Sequence, residues 1–150
     1  MTERPAIARN RRAYRNYEVL EKLEAGISLL GPEVKSVREG KVSIAEAFAT
    51  FKGDELFVFD MHIAEYAHRG YTPHEPLRPR KLLMHKRELK NLQVSVERKG
   101  LTLVPLELYL VRGRIKISLA LARGRKRHDK RERVSKEEAR REARKAEGKR

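Results

Sequence analysis

The chain contains no cysteine and no tryptophan, and only three aspartates, Asp54, Asp60 and Asp129, scattered along its length. Without cysteine there is no disulfide, no cysteine-ligated zinc finger and no thiol nucleophile. Without clustered carboxylates there is nothing to hold the cations of a metal nuclease. His62, His68, His74 and His85 are too dispersed for a helix-borne metal pair. No serine sits in a nucleophile elbow. Gly31-Pro32-Glu33-Val34-Lys35-Ser36 lacks the glycine that precedes the lysine of a phosphate loop, and reads as an ordinary helix start. No cofactor, metal or enzymatic activity is therefore expected. No apolar run is long enough to cross a bilayer, and no signal-like apolar segment follows the charged N-terminus. The expected compartment is the reducing cytoplasm, with no membrane partner.

What the chain has instead is positive charge. It carries 36 Lys/Arg against 21 Asp/Glu, a formal +15 over 150 residues. Residues 123–150 alone hold fourteen Lys/Arg against six Asp/Glu, no aromatic residue, and Val134 as their one large aliphatic side chain. Such a segment buries too little to offset its ordering entropy. On a phosphate surface it gains from counterion release. The segment also carries a capping box, Ser135-Lys136-Glu137-Glu138, and the helix formers Ala139, Ala143 and Ala146. Residues 135–147 are expected to be disordered when free and helical when bound.

Nearly all large apolar residues fall between 13 and 122, enough for one core. Three units are expected: a flexible basic arm over 1–12, a folded RNA-binding body over 13–122, and the basic tail over 123–150. Tyr17–Leu30 reads as strand, with Gly26 marking a bulge or a close backbone approach. Gly31-Pro32-Glu33 starts a helix that Gly40 stops. Phe48–Phe51 and Leu56–Phe59 flank Lys52-Gly53-Asp54-Glu55 as a hairpin, with Met61 and Ile63 continuing its second arm. A proline-rich loop over 70–79 follows, and Arg78, Arg80 and Lys81 are expected at the surface. Lys81–Met84 reads as a short strand. His85–Arg98 reads as a helix with Leu89, Leu92 and Val96 on one stripe, closed by Gly100. Leu106, Leu108 and Leu110 alternate in one strand, in which Pro105 marks an edge or bulge. After the turn at Arg112-Gly113, Ile115, Ile117, Leu119 and Leu121 alternate in a last one. The class is mainly β: five to seven antiparallel strands with two or three helices, closing into an oligonucleotide-binding barrel.

Cations gather at Lys35, Arg38 and Lys41, at Arg78, Arg80, Lys81, Lys86 and Arg87, and at Arg112, Arg114 and Lys116, leading into Arg123, Arg125, Lys126 and Arg127. Any one of them is an ordinary solvated side chain; the unbalanced set is a nucleic-acid footprint. Tyr14, Tyr66, Tyr71 and His128 are candidates to stack on unpaired bases, although each tyrosine alone is more often packing than ligand. Composition fits a ribosomal protein or general RNA chaperone as well as a dedicated RNA-binding factor.

Several short motifs narrow this. Asn10-Arg11-Arg12-Ala13, Glu24-Ala25-Gly26-Ile27, Glu33-Val34-Lys35-Ser36, His62-Ile63, Arg80-Lys81-Leu82-Leu83-Met84-His85-Lys86, Gly113-Arg114-Ile115-Lys116 and Gly124-Arg125-Lys126-Arg127-His128-Asp129-Lys130-Arg131 resemble, in order and spacing, the SmpB family of SsrA-binding proteins. The resemblance spans about residues 10–133. It implies an oligonucleotide-binding barrel without catalysis, binding as a monomer to the tRNA-like domain of transfer-messenger RNA (tmRNA). It further implies entry into stalled ribosomes for trans-translation, the body beside the small-subunit decoding centre and the tail in the empty messenger channel as a helix. By matching motif it assigns Glu24, Leu83 and Lys116 to the RNA-binding face, beside the cations Lys35, Arg80, Lys81, Lys86, Arg114, Arg125 and Lys126. It assigns Arg127, His128, Asp129, Lys130 and Arg131 to the ribosome, with His128 stacking on a decoding-centre base. The chain departs from the family at Glu46-Ala47-Phe48, where Asp-Ser-Tyr is usual, at Arg15, where histidine is common, and at Pro73, where asparagine is.

Overall fold

A computed structural model describes residues 6–66 and 74–124. In chain order the elements are β1 (Ala6–Arg9), α1 (Ala13–Asn16), β2 (Tyr17–Ile27), α2 (Gly31–Arg38), β3 (Val42–Ser43), β4 (Phe48–Lys52), β5 (Glu55–Phe59), β6 (His62–Ile63), β7 (Arg80–Leu83), α3 (Lys86–Lys99), β8 (Thr102–Val111) and β9 (Arg114–Gly124).

The strands run β8-β4-β5-β7-β2-β9, and β9 pairs back onto β8. Every pairing is antiparallel, so the sheet closes into a ring of oligonucleotide-binding type, flanked by helices. Inward residues of alternate strand positions fill it. Leu56 and Val58 of β5, Leu82 of β7, Leu103 and Leu108 of β8, and Ile117 and Leu119 of β9 are all essentially inaccessible to solvent. The stripe on α3 packs as its period predicts, with Leu92 buried and Leu89 and Val96 partly so. Gly100 then ends α3 at φ 63°, a left-handed position that glycine adopts without strain.

A second small cluster lies outside the ring. Ala13 of α1 covers Val104 and Leu106 of β8 and Ala120 and Ala122 of β9. It exists because β8 is bulged between Pro105 and Glu107. The bulge shifts the alternation by one residue. Leu106 therefore joins the outer cluster and Leu108 the inner core, while Leu110, in regular register on the face of Leu108, is exposed because it lies next to the end of the strand. The three leucines do not share one face, as simple alternation had suggested.

Other expectations are corrected too. Residues 6–9 are not a free arm: they form β1 on β8, and Asn10 is buried, its side-chain amide donating to Pro105 O at 3.2 Å. The hairpin β4–β5 is as expected, but its second arm stops at Asp60, whose φ is 57°. Ile63 then pairs with Val42 in a separate two-stranded sheet, β3–β6. Strand β9 runs two residues past the anticipated end of the body, with Gly124 opposite Tyr17.

The largest correction concerns Arg80, expected at the surface and fully buried instead. Its alternation partner on β7 is Leu82, and both point inward. Its guanidinium meets the equally buried Glu33 at the start of α2, with Nε donating to Oε2 at 2.8 Å and Nη2 to the same oxygen at 2.5 Å. Arg80 Nη1 donates to Met61 O. Arg78 Nη2 donates to Glu33 Oε1 at 2.6 Å, and the Leu30 N–H to the same oxygen at 2.8 Å, the backward half of a capping box. Burial disfavours the Glu33 carboxylate. The hydrogen bonds from Arg78, Leu30 and Arg80 outweigh that, and hold its carboxyl below the usual range.

Candidate nucleic-acid interface

Glu24, Leu83 and Lys116 are separated by up to 92 residues of sequence, yet the sheet sets them side by side. Strand β2 lies between β7 and β9. Gly26 on β2 is opposite Leu83 on one side and Lys116 on the other. Glu24 is two positions earlier on β2, hence on the same outer face. Gly26 is not at a close backbone approach: a Cβ there would meet Leu83 Cβ at 3.4 Å and the Leu83 carbonyl oxygen at 3.8 Å, ordinary packing distances. The bulge in β2 is elsewhere, between Val19 and Glu21.

Leu83 is 49% exposed, too open for a core residue. It lines three adjoining grooves. One, of about 550 Å³, has Glu24, Gly26, Met84, His85, Glu88 and Lys116 as its other walls. A narrower one, of about 280 Å³, lies toward α2 and the β8–β9 turn and includes Arg114. The third, of about 600 Å³, runs between the β4–β5 hairpin and α3 and carries Lys81, Lys86 and Lys90. The grooves are of mixed charge, with Glu24 and Glu88 beside Lys116 in the first and Asp54 and Glu55 beside the three lysines in the third. An exposed apolar crest bordered by lysines and Arg114 suits a folded RNA, whose sugars and base faces offer apolar surface between phosphates.

Glu24 has a defined acceptor role in the fold. The buried Tyr109 on β8 donates its hydroxyl to Glu24 Oε2. Tyr109 is opposite Lys116 in the β8–β9 ladder. A carboxylate repels phosphate, so its place beside Lys116 fits acceptance from a base amino group. Nothing in the local sequence pointed to Tyr109; its link to Glu24 spans 85 residues.

The remaining candidates separate clearly. Lys35, on α2, is exposed. Arg38 donates to Gly113 O at 2.7 Å and so ties α2 to the turn that carries Arg114 and Lys116. Arg114 and Lys86 are exposed, and Lys116 is half-buried. Lys81 is exposed and its charge is shared with Glu55 at 2.6 Å. Arg80 is out of reach of any phosphate, because Glu33 and the barrel wall enclose it. Tyr14 is exposed with Lys22 Nζ 5.4 Å from its ring centre; hydrogen bonding with Tyr14 raises the Lys22 pKa. Glu46, at one departure from the family pattern, reaches Arg12 at 3.8 Å. Arg125, Lys126, Arg127, His128, Asp129, Lys130 and Arg131 lie outside the described residues, as do His68, Tyr71 and Pro73.

Among the described residues no three metal-ligating side chains gather, and no helix is long and apolar enough to cross a membrane. His74 is buried with Nε2 3.0 Å from Ile63 O, a packing role.

The comparisons with known proteins converge. A family model described as "SmpB protein" matches residues 7–149. An SsrA-binding protein of Carboxydothermus hydrogenoformans is 52% identical over 140 residues, covering 93% of this chain and 94% of the relative. One from Mycolicibacterium vanbaalenii is 51% identical over 136 residues, covering 91% and 82%. A solved chain from "tmRNA-SmpB: a journey to the center of the bacterial ribosome" is 52% identical with a TM-score of 0.63, over 77% of this chain and 82% of that one.

Proposed function

The chain belongs to the SmpB family, and from that premise we propose that it binds the tRNA-like domain of tmRNA (SsrA) and delivers it to stalled ribosomes for trans-translation and ribosome rescue. The observation that carries the reading is the crest at Leu83, flanked by Lys116 and Glu24 and brought together by β7, β2 and β9. Lys116 and Arg114 supply phosphate contacts, Glu24 accepts from a base, and Leu83 gives apolar contact. Lys35, Lys81 and Lys86 border the grooves. The protein contributes shape and charge, and no bond-making chemistry of its own. Its place of work is the cytoplasm, where ribosomes are, and it binds the RNA as a monomer.

In this reading the body and the tail divide the labour. The body, bounded by Gly124, holds the tRNA-like RNA beside the decoding centre. Arg125 and Lys126 extend its cationic edge. Arg127, His128, Asp129, Lys130 and Arg131 contact the ribosome, and residues 135–147 become helical in the messenger channel.

The test is binding of tmRNA, tRNA and plain duplex RNA measured across a salt series. A rescue factor prefers the tRNA-like shape at every salt; equal affinity for duplex would favour a general RNA chaperone. Lys116→Ala in the same assay lowers affinity and reduces the magnitude of the log–log salt slope by ~0.9, the share of one phosphate contact. An unchanged slope removes Lys116 from the phosphate contacts.

A further inference from the structure

The chain has four phenylalanines and sets three of them outside its barrel. On β4 and β5 the inward positions are Ala49, Leu56 and Val58, all buried, and Phe51, which packs partly buried against the core. Phe48, Phe57 and Phe59 therefore point outward. Phe48 and Phe59 are opposite each other in the ladder, with ring centroids 5.5 Å apart and planes 16° from parallel. Phe57 leans on Phe59 at 6.4 Å. Phe48 is 41% exposed. Phe57 and Phe59 are partly buried, and a stacked pair with one ring exposed discards burial that the core would reward.

The surroundings indicate what covers it. Lys52 Nζ stands 5.2 Å from the Phe59 ring centre. Lys81 is opposite Phe57 across β5–β7, and Leu83 is two positions further along the same outer face. By strand geometry the backbone at Phe57 is within about 10 Å of that at Leu83. Phe57 and Lys81 thus link the aromatic face to the crest, while the Phe48–Phe59 pair lies at the far end of β5 from Leu83, and Phe48 also borders a separate groove with Asn10, Arg12 and Tyr17. Building on the RNA reading above, we infer that the Phe48–Phe59 pair is a platform on which an unpaired base of the tRNA-like RNA stacks, with Lys52 placed for the adjoining phosphate. Bases stack on aromatic faces regardless of sequence, and a neighbouring cation adds to the attraction. A second copy of the chain is the poorer occupant, because it would bring two molecules of +15 face to face.

The experiment titrates labelled tRNA-like RNA with the full chain and its variants. Replacing both rings by leucine (Phe48→Leu with Phe59→Leu) keeps apolar bulk and removes the stacking face. Affinity falls roughly five- to a hundredfold, with the salt slope unchanged, because a stack rather than a phosphate contact is lost. Phe48→Trp retains affinity, and its indole emission is quenched when RNA binds. Unchanged affinity in a folded double-leucine variant overturns the platform. So does an effect confined to ribosome binding, which would move the contact to ribosomal RNA. If the double variant fails to fold, an unquenched indole in Phe48→Trp overturns it equally. A chain that shows no preference for tRNA-like RNA over duplex fails at the functional reading itself, and the platform falls with it.

Discussion

Ending the chain after Gly124 abolishes tagging on stalled ribosomes while leaving most of the affinity for tRNA-like RNA. The cut removes thirteen Lys/Arg and six Asp/Glu, and with them almost half of the net charge. It removes no described element. Strand β9 is complete at Gly124, Arg123 keeps its place opposite Glu18, and the ridge of Leu83, Gly26 and Lys116 is untouched. A cut two residues earlier would strip the last pairs of the β2–β9 ladder and mix a folding defect into the result. Two readouts are needed, an equilibrium titration with tRNA-like RNA and a tagging assay on ribosomes stalled without a codon. The truncated chain binds the RNA with a somewhat shallower salt slope, since stray phosphate contacts of the tail are gone. Tagging falls to background, because the segment meant for the messenger channel is absent. Loss of both activities together would show that the tail also holds the tRNA-like RNA. Retention of both would leave the tail without a role on the ribosome.

The charge, the hairpins and the last strand were legible because each is a local pattern. Gly53-Asp54 between two apolar runs makes a two-residue turn, and Arg112-Gly113 another, both residues of the latter at positive φ. What escaped depends on phase or on long-range partners. A one-residue bulge after Pro105 changed the face of Leu106, and no composition argument predicts which residue a bulge releases. Leu56-Phe57-Val58-Phe59 is apolar throughout, so periodicity cannot say that the phenylalanines are the outward pair. Glu24, Leu83 and Lys116 were singled out by family motif alone. Their adjacency follows only from the order β7-β2-β9. Arg80 was misread because an arginine beside prolines and lysines looks like surface. Only the partner Glu33, 47 residues away, makes its burial tolerable.

That pair sets the largest stability effect expected in the body. Glu33→Ala strands the Arg80 guanidinium in a site with no exposure, with carbonyl oxygens such as that of Met61 as its remaining partners. Arginine stays charged at any ordinary pH, so it cannot escape by releasing its proton. Removing one member of a buried ion pair costs about 3–5 kcal/mol, which for a body of this size lowers Tm by at least ~12 °C. Replacing both members by apolar residues, Glu33→Met with Arg80→Met, recovers most of the loss, because no buried charge is left alone. Arg78, one-third exposed, then turns to water. The pH dependence has a definite sign. The folded protein holds the Glu33 carboxyl below its ordinary value of 4.5, so the stabilisation is complete above that value and is lost as pH falls through the lower, folded one. Thermal unfolding from pH 7 to pH 3 therefore shows a steep acid decline in the unaltered chain and a shallower one in the double methionine variant. Equal declines would mean that Glu33 keeps an ordinary pKa. At a temperature well below both transitions the double variant binds tRNA-like RNA as the unaltered chain does. A large loss of RNA affinity in a folded double variant would instead place Arg80 among the RNA contacts, against its burial.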